Sequence, residues 1–176
     1  MAKRVLEVVD YDPAWSKRFA DEQSMLAQVL GETVLKIHHI GSTSVPGLAA
    51  KPVIDILMEV PGLDELDGKN QLMESLGYEV KGENGIAGRR YFQKGGNNRS
   101  HHLHAFVAGD ETLARHLAFR NYLAAHPQIV QQYGELKLAV IRAGHNISEA
   151  YMQGKNEFIQ HHEKLALSWY FNQQVA

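Results

Sequence analysis

The chain has 176 residues, 44% of them hydrophobic and 22% charged, and a formal net charge of −2. A single domain of this size buries roughly 70% of the surface its unfolded chain exposes, so residues 1–176 read as one domain. The small net charge argues against a general nucleic-acid surface, and the absence of cysteine excludes disulfides, zinc fingers and thiol nucleophiles. The opening MAKRVLEVVDYD lacks an apolar segment of signal-peptide length, and no run approaches a membrane span. A cytoplasmic protein with no membrane partner is therefore expected.

In chain order, Val5 to Val9 suits a short strand or an arm. Asp12-Pro13 is a helix start, a capping acid followed by proline at the first helical position. Trp15, Phe19, Leu26 and Leu30 follow with helical spacing, and Gly31 is the stop. Val34 to Ile40 predicts a strand, followed by the small-residue loop Gly41-Ser42-Thr43-Ser44 and a second strand to Val60. Leu63 to Leu76 predicts one helix closed by Gly77. Tyr78 to Val80 and Arg89 to Lys94 are short strands, Gly95-Gly96-Asn97-Asn98 is a turn, and His101 to Val107 is a further strand. Helices follow over Glu111 to Ala125, Pro127 to Ala143 and Ser148 to about Tyr170. Strands interrupted by one helix and then a helical C-terminal part define an α+β fold rather than repeated βαβ units.

The central strand carries the first chemical signal. Side chains alternate along a strand, so Ile54, Ile56, Met58 and Val60 form a core seam. Asp55 sits on the other face with Leu57 and Glu59, and a carboxylate in that setting requires a partner or a metal. His102 and His104 share one strand face about 6.6 Å apart, with Phe106, while Leu103, Ala105 and Val107 face the other way. Two histidines and an acid from a neighbouring strand make a candidate metal set of Asp55, His102 and His104. Glu59, roughly 13 Å further along the strand, is too distant to join Asp55. His38, His39, His101, His161 and His162 read as surface histidines.

The loop before Asp55 offers backbone N–H groups and the hydroxyls of Ser42, Thr43 and Ser44, as an anion-binding loop does. Its spacing is not that of a Walker loop, because Leu48 stands where lysine is required. Lys51 follows it closely enough to reach a phosphate or pair with an acid. The helices add cations beside aromatic residues: Lys137 four residues after Tyr133, Lys155 four after Tyr151, and Arg120 one turn from His116. Together these define a polyphosphate or carboxylate pocket, to which Arg90 and Lys94 are candidate additions.

HIGSTSVPGLAAKPVIDILMEV, FRNYLAAHPQ, YGELK, Tyr151 with Lys155, and the opening VVDYDPAWSKRFADE resemble the GrpB family from about Val8 to Trp169. The resemblance implies a nucleotidyltransferase-like mixed β-sheet flanked by helices. In that superfamily a Gly-Ser loop holds a nucleotide triphosphate and an Asp-x-Asp strand binds magnesium. Gly41-Ser42 match the loop and Asp55 the first acid, but Leu57 occupies the second acid position. The resemblance thus implies a metal-dependent nucleotidyltransferase-like protein acting on a nucleotide, or other phosphorylated small molecule, and a small acceptor. Asp55 and His104 are its expected catalytic residues. Gly41, Ser42, Thr43, Ser44, Lys51, Arg120, Lys137 and Lys155 are its expected phosphate ligands, with magnesium, manganese or zinc as the metal. The alternatives are a non-catalytic nucleotide- or coenzyme-binding module and a hydrolase with one metal at the Asp/His site.

Overall fold

The computed structural model describes residues 8–143 and 149–175, with the side chains of 140–143, 149–152, 155, 174 and 175 outside that description. Helix α1 (Ala14–Leu30) starts as its sequence dictates: Asp12 Oδ1 accepts the Ala14 N–H at 2.9 Å, satisfying a donor that has no helical partner. Its inward face buries Trp15, Leu26 and Leu30, and Gly31 ends it at φ 54°. Strands β1 (Lys36–Ile40) and β2 (Ile54–Val60) follow. Where one helix was expected from Leu63 to Leu76 there are two short ones, α2 (Leu63–Asp67) and α3 (Asn70–Ser75). The break falls at Gly68-Lys69: glycine is a poor helix former, and Lys69 leaves helical geometry at φ −101°, ψ 7°. Strands β3 (Tyr78–Val80), β4 (Arg90–Lys94) and β5 (His101–Val107) complete the sheet, and α4 (Glu111–Ala125), α5 (Pro127–Ala143) and α6 (Glu149–Val175) follow.

The strand order is β1-β2-β5-β4-β3. Only β2 and β5 run parallel; the other neighbours are antiparallel. This is the expected α+β arrangement, a mixed sheet flanked by helices. One sheet face packs Ile54, Ile56, Met58, Val60, Leu103 and Ala105 against Trp15 and Leu26 of α1, Leu66 of α2 and Met73 of α3. The opposite face carries a smaller plug in which Ile40, Leu57 and Phe106 meet Leu113 of α4. Val45 and Leu48, from the β1–β2 loop, are buried with Ala118, Tyr122, Leu123, Val130 and Ala166 of the last three helices. The loop is thereby bolted to the helical layer rather than left as an exposed turn.

Several sequence expectations are corrected by this packing. Arg90 and Lys94 lie on the α1 face, away from Asp55: Arg90 pairs with Asp67 at 2.7 Å and Lys94 with Glu22 at 2.7 Å. Glu22 is buried and also accepts from Tyr78 Oη at 2.7 Å, with His101 Nε2 3.6 Å from its other oxygen. His101 and His162 are buried rather than superficial, and His39 is half-buried with its ring stacked on Phe19 at 4.7 Å. Of the proposed N-terminal arm, residues 5–7 lie outside the described residues, and Val9 makes an isolated bridge to Ala50. Among the described residues, no helix is long and apolar enough to cross a membrane.

Candidate functional site

Parallel pairing of β2 with β5 sets Asp55 directly opposite His102 and Leu57 opposite His104. Cross-strand partners point to the same face, so the acid and both imidazoles converge on the α4 side. Asp55 Oδ1 lies 3.4 Å from His102 Nδ1 and 3.7 Å from His104 Nε2. Burial alone would push the Asp55 carboxyl up. The two histidines overcome it, by hydrogen bonding and by charge, and hold it at about 2. Glu59, as its distance along the strand requires, stays apart from this group and meets His38 Nε2 at 2.6 Å.

The Gly41–Ser44 loop closes over Asp55. Gly41 has φ 72°, a left-handed conformation, and a Cβ at this position would stand 2.5 Å from Asp55 Oδ2. Only glycine satisfies both conditions. Ser42 to Ser44 form one 3₁₀ turn, tied by Ser44 Oγ donating to the Gly41 carbonyl at 2.5 Å. Thr43 is buried and donates to the Val53 carbonyl at 3.3 Å, so it accepts from His39 Nε2 at 2.9 Å.

Helix α5 brings the cation. Lys137 Nζ donates to Ser42 Oγ, lies 3.4 Å from the Ala49 carbonyl and sits 4.4 Å from the centre of the Tyr133 ring. Tyr133 is itself hydrogen-bonded to Ser42. Its hydroxyl is pushed up by burial and by the charge of Glu163, against the lowering effect of the Ser42 bond. The four-residue spacing of Tyr133 and Lys137 thus places both on the serine loop.

Other expected ligands are distributed differently. Lys51 is exposed at the end of the loop. Arg120 lines a separate cleft of about 850 Å³ with Lys36, His38, Glu59, Leu117 and Tyr170, and its Nη1 donates to the His39 carbonyl at 3.1 Å. Burial lowers the Arg120 guanidinium from its usual value. The side chain of Lys155 lies outside the described residues.

The structure adds three residues that were not anticipated. His116 of α4 stacks obliquely near His104, ring centres 6.0 Å apart, and burial with the charge of His104 holds it at about 4. Tyr91 packs against both strand histidines, its ring centre 5.9 Å from that of His102 and 5.2 Å from that of His104. Arg89, 8% exposed, donates from Nη1 to His104 Nδ1 at 3.4 Å. Alternation along β4 carried the usable signal: Tyr91 pairs with His104, so Arg89, two residues earlier, shares its side, and Arg90 does not. Among the described residues, no group of three or more His, Cys, Asp or Glu side chains is placed to hold a metal ion.

The domain is thus a mixed five-stranded sheet flanked by helices, with Asp55 of β2 beneath the Gly41–Ser44 loop. The GrpB protein family model matches residues 5–165, and the chain belongs to the GrpB family. It is similar to the UPF0157 protein YqkA of Bacillus subtilis, with 46% identity over 167 residues, covering 95% of this chain and 49% of that protein. It also resembles the UPF0157 protein PA4798 of Pseudomonas aeruginosa, with 39% identity over 158 residues, covering 88% of this chain and 64% of that protein. The chain thus spans about half the length of YqkA and under two thirds of PA4798. The crystal structure of the conserved protein GrpB from Enterococcus faecalis superposes with a TM-score of 0.86 at 44% identity, covering 94% of this chain and 99% of that one.

Proposed function

We propose that the chain binds the phosphate of a nucleotide, or of another phosphorylated small molecule, at the Gly41–Ser44 loop and transfers a nucleotidyl or phosphoryl group to a small acceptor. The observation that supports this reading is Lys137 seated on the Ser42 hydroxyl at the loop that covers Asp55. Loop amides, the Ser42 hydroxyl and the lysine ammonium offer neutral and charged donors to phosphate oxygens. Asp55, ionised at neutral pH, accepts a hydrogen bond from the acceptor hydroxyl and fixes its direction of approach. Catalysis in such a site comes from placement and charge neutralisation. Where a divalent ion accompanies the phosphate, it supplies further neutralisation. Asp55 is the oxygen ligand suited to magnesium or manganese, which keep mainly water and phosphate oxygens around them.

A second reading, binding without turnover, has its own support. Leu57, at the position of the second acid, is fully buried between Ile40, Phe106 and Leu113, so only one strand acid serves the site. Titration calorimetry with nucleoside triphosphates and with pyrophosphate, with and without magnesium, tests the shared part: binding should weaken about tenfold or more in Asp55→Ala and in Lys137→Gln. Pyrophosphate or phosphate release in the presence of hydroxyl acceptors then separates transfer from storage. Wild-type protein that binds none of these phosphates overturns both readings.

A further inference from the structure

A histidine that binds a metal through one ring nitrogen carries its proton on the other, and that N–H needs an acceptor. At His104 the neighbour is of the opposite kind. Arg89 Nη1 donates to His104 Nδ1, and a guanidinium has no lone pair with which to accept. Nδ1 therefore presents its lone pair, and the ring proton of the neutral imidazole resides on Nε2, facing Asp55 Oδ1. Arg89 is held in place. Its Nε donates to the Glu83 carbonyl at 3.1 Å, its Nη2 to the Asn84 carbonyl at 2.8 Å, and its Cζ lies 4.9 Å from the centre of the Tyr91 ring.

His102 reinforces the pattern by a different route. Its Nδ1 faces Asp55, while Nε2 is buried with no hydrogen-bond partner among the described residues. A metal on Nδ1 would force the proton onto Nε2, where a buried N–H without an acceptor is costly. Neither imidazole has the surroundings of a metal ligand, and both have those of a donor to the carboxylate.

We propose that Arg89 is a positioning residue that fixes the His104 tautomer, so that His102 and His104 clasp Asp55 as N–H donors and the cluster rejects zinc and other imidazole-seeking ions. The clasp orients and keeps ionised the carboxylate that the proposed function uses; to that extent it rests on that reading. It counts against the single-metal hydrolase, which needs both imidazoles as ligands.

The test uses the full chain without nucleotide, so that a failure of phosphate binding leaves it unaffected. Side-chain nitrogen NMR at neutral pH should show His104 as the Nε2–H tautomer and His102 as the Nδ1–H tautomer. Zinc titrated alone into the wild type should bind no more tightly than to Asp55→Ala. In Arg89→Gln, whose amide oxygen can accept from Nδ1–H, zinc affinity should rise about tenfold or more, and His104→Gln in that background should remove the gain. A wild-type Nδ1–H tautomer at His104, or wild-type zinc binding that His104→Gln abolishes, overturns the proposal, as does an unchanged affinity in folded Arg89→Gln. Should that variant not fold, the wild-type NMR assignment decides alone.

Discussion

A Cβ on Gly41 would stand 2.5 Å from Asp55 Oδ2, while the same addition at Gly47, six residues on, meets nothing within 4 Å. Both glycines have positive φ, 72° and 82°; Gly41, with ψ −173°, adds a region essentially closed to residues with a Cβ, and the collision. Gly47→Ala should cost only the conformational penalty, about 1–2 kcal/mol. Gly41→Ala should cost about 2–4 kcal/mol, because the displaced carboxylate adds to the strain. Urea unfolding of the two variants checks the difference, and equal losses would show that the loop yields without disturbing Asp55.

The placement of the cations predicts unequal roles for two residues that look alike in sequence. Lys137→Gln should weaken binding of a nucleoside triphosphate by about tenfold or more, since hydrogen bonds from a charged donor contribute roughly 1.5–3 kcal/mol. Arg120→Gln should leave that binding within about twofold, because Arg120 lines the cleft beside His38 and Glu59. Calorimetry on both variants decides, with circular dichroism to confirm folding.

Acid should destabilise the fold in a defined window. His39 and His116 are both held at about 4 against an ordinary 6.5. Burial is the main cause. At His39 the Asp55 carboxylate opposes it and Arg120 adds to it; at His116 the main addition is His104. Between those two pH values the unfolded chain binds more protons than the folded one. Stability therefore rises with pH across the window and is lost on acidification from about 6.5 toward 4. Unfolding free energies at a series of pH values should show this slope, and His39→Gln with His116→Gln should flatten it.

Adding the second strand acid that the proposed transferase reading calls for is expected to fail. Leu57→Asp would bury a carboxylate among Ile40, Phe106 and Leu113, with a loss of about 4 kcal/mol or more. Thermal melting should show a large drop and no new magnesium dependence of nucleotide binding. A folded, magnesium-binding Leu57→Asp would show that the plug can open.

On the other sheet face, Lys94→Met removes the ammonium from Glu22, leaving a buried carboxylate with Tyr78 and His101. Because the Lys94 side chain is 22% exposed, a stability loss of about 2–3 kcal/mol is expected rather than the full effect of a dry pair. Phosphate binding should be unchanged, since the sheet separates this network from Asp55. Denaturation and calorimetry on the same sample measure both.

Strand and helix periodicity determined most of this architecture in one dimension. The alternation of β2 and β5 assigned Asp55, His102 and His104 to particular faces, because a two-residue repeat leaves each side chain no other choice. The four-residue spacing of Tyr133 and Lys137 set them on one side of α5. What periodicity does not carry is pairing, which is fixed by contacts between residues far apart in the chain. Only the parallel alignment of β2 with β5 put the acid opposite its histidines, and only β4 packing beside β5 brought Arg89 to His104. The same long-range packing sent Arg90 and Lys94 to Asp67 and Glu22 and Arg120 to a different cleft. A long basic side chain reaches whatever partner the fold sets within its span.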